Sequence, residues 1–245
     1  MNMLITMKRI GILLFLSICF ILFQNCSGAH PKIPPHGLDV PFHDGHGEKN
    51  QCMQIAMQSV IQYFLNEVYT LDELDKVTGR QKGKWTAVSQ GVLGLYELGL
   101  KAEAYCASDE PDFRVRYGRD ADKIIKNLDV AVANAYSEKA VENHLIQVKK
   151  LRFEDIEKDI EEGCVPIVIV DLNVLLDGAS RSYNGHSVVV TGFDEEYVYY
   201  HEPGYFLFPS TPHKRVPKKL FLKAWSANGT DNCVIIVCGK REKPG

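Results

Sequence analysis

One change of period divides this chain. From Cys52 to Leu98 the apolar residues recur at steps of three and four, as on one face of a helix; from Val165 to Val237 they fall in short runs bounded by turn residues, as in strands. In the first part Ile55, Ala56, Ser59, Val60 and Tyr63 mark a helix that begins at Cys52. Thr70-Leu71-Asp72-Glu73 has the Thr-x-x-Glu form of a capping box and opens a second helix through Val77, stopped by Gly79. A third helix is predicted over 86–98, with Val88, Val92, Leu95 and Leu98 facing the core and Gly99 ending it. Leu100, Ala102 and Ala104 then alternate with polar residues, a strand ending at Cys106. Residues 109–119 are polar with one Pro and read as a surface loop. Helices are predicted over 121–128, 137–143 and 153–162, the last ended by Gly163. Three strands follow, 165–172, 186–193 and 197–201, the last two joined by the turn Asp194-Glu195-Glu196 into a hairpin. Lys214-Arg215 reads as a solvated loop and Lys218-Lys219 as a helix start. A short helix over 221–225 and a final strand over 233–237 complete the chain. Helices first and mostly antiparallel strands second make an α+β pattern, not a wound βαβ one.

The N-terminus belongs to neither part. Lys8 and Arg9 precede an uncharged apolar run from Ile10 to Phe23, too short for a bilayer span of about twenty residues. Residues 1–29 therefore read as an export signal, with lipidation, simple cleavage and, third, an uncleaved membrane anchor as the outcomes open. Ser27-Gly28-Ala29 offers small residues for cleavage before His30. Cys26, directly after the apolar run, resembles the lipidated cysteine of a bacterial lipoprotein, although Asn25 stands where a small residue is usual. Residues 30–49, rich in Pro, Gly and His, form an extended arm, and 50–245 the folded domain. The expected product is a secreted protein or a cell-envelope lipoprotein, monomeric, touching a membrane only through a lipid anchor. A formal net charge of −3 with no basic stripe argues against nucleic acid as a partner. His30, His36, His43 and His46 lack Cys or carboxylate ligands at a metal-site spacing and read as loop histidines, so neither metal nor cofactor is expected.

Outside the export segment stand Cys52, Cys106, Cys164, Cys233 and Cys238, an odd number, which leaves one thiol free in an exported chain. Cys52 is the choice for it. Cys233 and Cys238 would lie about 16 Å apart on opposite faces of one strand and cannot pair with each other. The pairing of the other four is open at this level.

A thiol at the first residue of a helix meets unpaired N–H groups and the positive end of the helix dipole, which favour the nucleophilic thiolate. Such a nucleophile needs a base, and the base needs an acceptor on its other ring nitrogen. Cys52, His186 and Glu202 supply these in chain order. The gap of 134 residues from Cys52 to His186 suits a Cys on a helical half and a His on a sheet half. His186 and Glu202 stand 16 apart about a turn; a hairpin loop with an odd number of residues places both on one face and turns His201 away.

Three stretches carry a family resemblance. The Cys heading Ala-Met-Gln-Ser-Val-Ile-Gln-Tyr-Phe, the block Gly-His-Ser-Val-Val-Val-Thr-Gly-Phe-Asp and the tetrad His-Glu-Pro-Gly together resemble the double-glycine leader peptidases, papain-like cysteine peptidases of bacteriocin exporters with free-standing exported relatives, over roughly residues 40–238. The resemblance implies a papain-like fold in two halves, Cys52 as nucleophile, His186 as base then acid, and Glu202 in the place of an Asp. Met53 replaces the Gly that usually follows the Cys. His46 stands where a Gln usually donates to the oxyanion, so the second donor beside the Cys52 N–H falls to His46, or to Gln51 if the loop runs differently. No transporter half follows, so leader processing during export is not implied. The expected function is an exported thiol hydrolase acting on a peptide or isopeptide bond of a peptide or protein substrate through a Cys acyl-enzyme. Two alternatives stand beside it: a non-catalytic binding module of the same fold, motivated by Met53 and His46, and a transglutaminase-like acyltransferase using the same three residue types. Residues 107–150 are expected to wall part of the substrate site.

Overall fold

The structure is a computed structural model that describes residues 33–45, 50–179, 182–204 and 209–242. The export segment with Cys26, and the oxyanion candidate His46, lie outside the described residues.

After a two-residue strand β1 (His36–Gly37), the first half is helical: α1 (Cys52–Leu65), α2 (Leu71–Thr78) and α3 (Val88–Glu97). The Thr70 capping box is formed, Thr70 Oγ1 accepting from the Glu73 N–H while the Glu73 carboxylate accepts from the Thr70 N–H, and Gly79 closes α2 in the left-handed conformation. Met53 is buried against α3, and a Cβ at Gly91 would stand 2.8 Å from its sulfur. The side chain that departs from the usual Gly is thus received by a Gly on the facing helix.

Strand β2 (Leu100–Cys106) leads into α4 (Phe113–Tyr117), a short 3-10 turn, α5 (Ala121–Asn127), α6 (Val130–Glu142), β3 (Ile146–Val148) and α7 (Phe153–Glu161). Residues 109–119 are thus not the open loop that their polarity predicts. Asp112 caps α4 through the Arg114 N–H, Arg116 pairs with Asp231 of a distant loop, and Phe113 and Tyr117 pack beside Ile124, Leu128 and Tyr183. These supports lie remote in sequence and leave no local period to read.

The second half is the sheet: β4 (Val165–Asp171), a short α8 (Leu172–Asp177), β5 (Gly185–Phe193), β6 (Tyr197–Glu202), β7 (Thr211–Pro217), α9 (Lys218–Trp225) and β8 (Val234–Lys240). Strand order is β3-β2-β8-β4-β5-β6-β7, antiparallel except for β2 with β3, with β1 pairing the far end of β5. Lys214-Arg215, read from sequence as a solvated loop, belongs to the edge strand β7; charged residues on an edge guard against further pairing and disguise the strand.

Alternation sorts the strand residues into two cores. Ala102, Ala104, Ile167, Val189 and Ile235 face α1 and α3, while Val168, Val188, Tyr200 and Ile236 face α7 and α9. Disulfides Cys106–Cys233 and Cys164–Cys238 tie β8 and the residue before it to β2 and to the start of β4. The even set of four cysteines is thereby used, and Cys52 is the free cysteine among the described residues.

Candidate active site

The chain enters α1 through Asn50, whose φ of 75° is left-handed, a conformation Asn tolerates better than most residues. Its side chain is held at both ends, donating to the Gly83 carbonyl at 2.9 Å and accepting from the Trp85 indole N–H at 3.1 Å. Gln51 is the residue before the helix and Cys52 its first residue. As the first residue of the helix, Cys52 carries an N–H that no intrahelical carbonyl takes, a donor suited to a substrate oxygen. Gln51 is buried, and its amide donates to Asp75 Oδ2 at 3.2 Å, in an ion pair that Arg80 makes with both oxygens of Asp75. The sequence-predicted donor is thus adjacent to Cys52, with one of its two N–H groups committed to α2.

His186 lies at the opposite end of the site, one residue into β5, on the strand that packs against α1. Its Nε2 donates to Glu202 Oε1 at 2.8 Å, and both side chains are buried. Glu202 Oε1 also accepts from the Gly204 N–H at 3.1 Å. With Nε2 so committed, Nδ1 is the ring nitrogen left for the hydrogen bond that His186 shares with Cys52.

How these two residues come to share a face differs from the sequence argument. The hairpin loop holds two residues, Glu195 and Glu196, closed by the Asp194 N–H to the Tyr197 carbonyl. An even loop alone would put Glu202 on the face opposite His186. The register shifts by one at a bulge between Val190 and Gly192, so that Phe193 opposes Val198 but Val189 opposes His201. That extra residue, Thr191, restores the parity and brings Glu202 diagonally across from His186. His201 does face the other way: its Nε2 donates to the Val40 carbonyl at 2.8 Å and its Nδ1 accepts from the His213 N–H, fastening the arm to the sheet. The arm continues to Gly45, where a Cβ would come within 1.9 Å of the Pro203 carbonyl oxygen, directly beside Glu202.

Charge follows from this packing. Burial pushes the Cys52 thiol up, but the hydrogen bond and charge of His186, with the backbone and side chain of Ser187, outweigh it and hold the thiol below its ordinary value. Burial disfavours the imidazolium too; the charge of Glu202 and the hydrogen bonds with Cys52 and Glu202 overcome it and hold His186 at about 10. Glu202, raised by burial, is brought below the ordinary carboxylate value chiefly by His186, then by Lys214 and the Gly204 N–H. At neutral pH the site therefore holds an imidazolium and a carboxylate, and the two together favour the thiolate of Cys52 over the thiol of an isolated cysteine. Ser187 and Lys214 are contributors that the sequence reading did not identify. Ser187 sits one residue past the histidine, and Lys214 gave no signal. Among the described residues, Cys106, Asp231 and Cys233 bring three possible metal ligands together, but the two sulfurs are joined as a disulfide and so are not available as thiolates.

The model of the Peptidase_C39-like family matches residues 39–233. A comparison with curated proteins returned no match. Among solved structures, a C39-like peptidase from Bacillus anthracis is similar at 16% identity over 86% of this chain and 100% of that one, with a TM-score of 0.46. The peptidase domain of Streptococcus ComA, a bifunctional ABC transporter of a quorum-sensing pathway, is similar at 13% identity over 80% and 97%, with a TM-score of 0.44. A double glycine motif protease from an AMS/PCAT transporter, solved with its leader peptide, is similar at 14% identity over 84% and 96%, with a TM-score of 0.45.

Proposed function

We propose a reaction for this chain on one premise: it belongs to the Peptidase_C39-like family and is a cysteine peptidase. The reaction is hydrolysis of a peptide or isopeptide bond through an acyl-enzyme on Cys52. His186 takes the proton of the Cys52 thiol, whose loss the imidazole and Ser187 already favour, and the thiolate attacks the scissile carbonyl. As the tetrahedral intermediate forms, its oxyanion meets the Cys52 N–H at the head of α1, where the helix dipole adds to the hydrogen bond. A second donor is assigned to Gln51 or His46. His186 then passes the Nδ1 proton to the leaving amine, and the thioester forms. In the second half the neutral imidazole takes a proton from water, the hydroxide attacks the thioester, and the thiolate leaves while the substrate carboxylate is released. Glu202 stabilises the imidazolium in both halves and keeps Nδ1 turned to sulfur.

The observation that carries this reading is the bond between His186 Nε2 and Glu202 Oε1, which leaves Nδ1 for the one free described thiol. Export of the chain, as a secreted protein or lipoprotein, is part of the proposal. It is supported by the pairing of four cysteines, since disulfides persist in oxidising compartments. The test is alkylation by iodoacetamide at pH 6, followed by mass spectrometry of the Cys52 peptide. Cys52 is expected to react far faster than glutathione and to lose that advantage in His186→Ala. Labelling no faster than glutathione, and unchanged in the variant, removes the reading. Incorporation of a primary amine in place of water would move it to acyl transfer.

A further inference from the structure

Glu202 is more deeply committed than a partner for one imidazole requires. It is 1% exposed, and while Oε1 serves His186 and the Gly204 N–H, Oε2 has no hydrogen-bond donor among the described residues. A buried carboxylate oxygen in that state is costly unless a charge compensates it. One cation stands nearby: Lys214 Nζ is 3.9 Å from Oε2.

The register explains why it is there. On β7 Lys214 opposes Tyr200 of β6, and residues opposed in an antiparallel pair share a face; Tyr200 and Glu202, two apart on one strand, share it as well. The lysine crosses the buried Tyr200 ring, its ammonium 5.8 Å from the ring centre, and reaches the carboxylate diagonally. Its side chain is 32% exposed, so the cation keeps part of its hydration while facing a buried anion. A Glu reaches one methylene further than an Asp, which is how Oε2 passes beyond the histidine towards β7.

We propose that Lys214 is a positioning residue of this site, a fixed cation that keeps Glu202 ionised and its Oε1 turned to His186 while the imidazole loses and regains its proton. The inference rests on the reading of Cys52, His186 and Glu202 given above. When His186 has given its proton to the leaving amine, the carboxylate would otherwise be a buried charge with no counter-ion. Lys214 remains charged through that interval, lowers the cost of the transfer and so makes His186 a better acid. The groups that face the Glu202 carboxylate are His186 from β5, Lys214 from β7 and the Gly204 N–H from the segment after β6; Tyr200 lies beneath the lysine. Cys52 adds its charge on the far side of the imidazole.

The sign of the effect is fixed. Removing a positive charge raises the proton affinity of every group near it, so both inflections of the pH profile of Cys52 reactivity, thiolate formation at the acid end and loss of the imidazolium at the alkaline end, move to higher pH. At this distance, with the ammonium partly solvated, the displacement is about half a pH unit or more. The experiment measures the rate of Cys52 alkylation by iodoacetamide from about pH 3 to 11 in the full chain, for the native protein and for Lys214→Met, Lys214→Gln and Lys214→Arg, each checked for native circular dichroism. Upward displacement of both inflections in the Met and Gln variants, with the native profile kept by Arg, is the expected result. Profiles that superimpose in all four proteins, or a uniform change of rate with fixed inflections, overturn it. A native Cys52 that reacts no faster than a free thiol would instead remove the catalytic reading itself, so the two failures are distinct.

Discussion

Replacing Glu202 by Gln tests the electrostatics of the site while keeping its shape. The amide oxygen can still accept from His186 Nε2, so the geometry is retained and the charge alone is lost. His186 is held at about 10 against an ordinary 6.5, in spite of burial, and the charge of Glu202 is the leading cause of the rise. With Nε2 and Oε1 at 2.8 Å, the charge centres lie about 4 Å apart. At an effective dielectric of about 20 such a pair interacts by about 4 kcal/mol, or roughly three pH units. Because the Cys52 thiolate still supports the imidazolium, a fall of about two units is the expected net change. The imidazolium is then lost near about pH 8, a roughly hundredfold change in its proton affinity. Two measurements check this: titration of the His186 ring followed by nuclear magnetic resonance, and the alkaline inflection of the pH profile of Cys52 alkylation. Both should fall by about two units, with Glu202→Asp between the two proteins. A Gln variant in which the ring and the alkaline inflection titrate as in the native protein would refute the assignment of Glu202 as the charge that holds the pair.

The same pair shapes stability against pH. His186, raised to about 10, contributes stability that is fully present below pH 6.5 and is lost as pH rises towards 10. Cys52, held below its ordinary 9.0, contributes stability that is present above 9 and is lost as pH falls through its lowered value; urea melts of native and Cys52→Ala should therefore diverge with pH, and parallel curves would contradict it. His201 is held down to about 4 by burial, so its stabilisation is lost as pH falls from 6.5 towards 4. His201→Leu leaves the Val40 carbonyl and the His213 N–H unpaired and should cost about 1–3 kcal/mol, with faster amide exchange at Leu38 in the arm, whereas unchanged exchange would exclude His201 as its fastening. Loss of the Cys164–Cys238 bridge, which spans a sequence separation of 74, in a double alanine variant should lower stability to urea by about 2–5 kcal/mol while Cys52 alkylation keeps its rate. Deleting Thr191 takes out the one extra residue, so a regular ladder keeps Val190 opposite Tyr200 and Glu202 on the face of His186; the fast Cys52 reaction should survive, and a deletion variant that loses it would show that the bulge does more than set the parity.

Much of this was legible because the chain writes its element ends locally. A capping box at Thr70, a stop at Gly79 and the turn signal at Asp194-Glu195-Glu196 are each stated within four residues, and the structure places α2 and the β5–β6 hairpin there, although the hairpin loop holds two residues and not three. Cys52, His186 and Glu202 could be singled out for the same reason: each stands at or beside an element end, where a side chain can reach another element. What could not be read is what distant residues impose. Helix α4 is supported by Asp231 and by an aromatic cluster that includes Tyr183, and β7 exists because β6 offers an edge, although its own sequence is charged and carries Pro. The replacement of a Gly by Met53 looked damaging to the site, and the compensating Gly91 lies on another helix.

The bulge marks the deeper limit. Period and turn residues specify which residues of one strand share a face, so Val188 goes with Val190 and Val198 with Tyr200, but whether the two sets meet in one core depends on the register between the strands. The parity of Glu202 relative to His186 depends on a single added residue, and Thr191 is the β-branched type that any strand favours. The local sign is Gly192 beside it, since a glycine inside a strand run often marks a bulge or a close backbone approach, but it does not say which residue is the extra one. What singles it out is tertiary: its Oγ1 bonds to His213 Nδ1 of β7, and its carbonyl accepts from the Leu38 N–H of the arm. The residues that hold the bulge also hold the arm and the edge strand, and that edge strand carries Lys214. The register of the catalytic pair and the cation behind it are therefore set by one network, and a substitution that loosens the arm should reach the chemistry through the pairing of β5 with β6, without contact with Cys52.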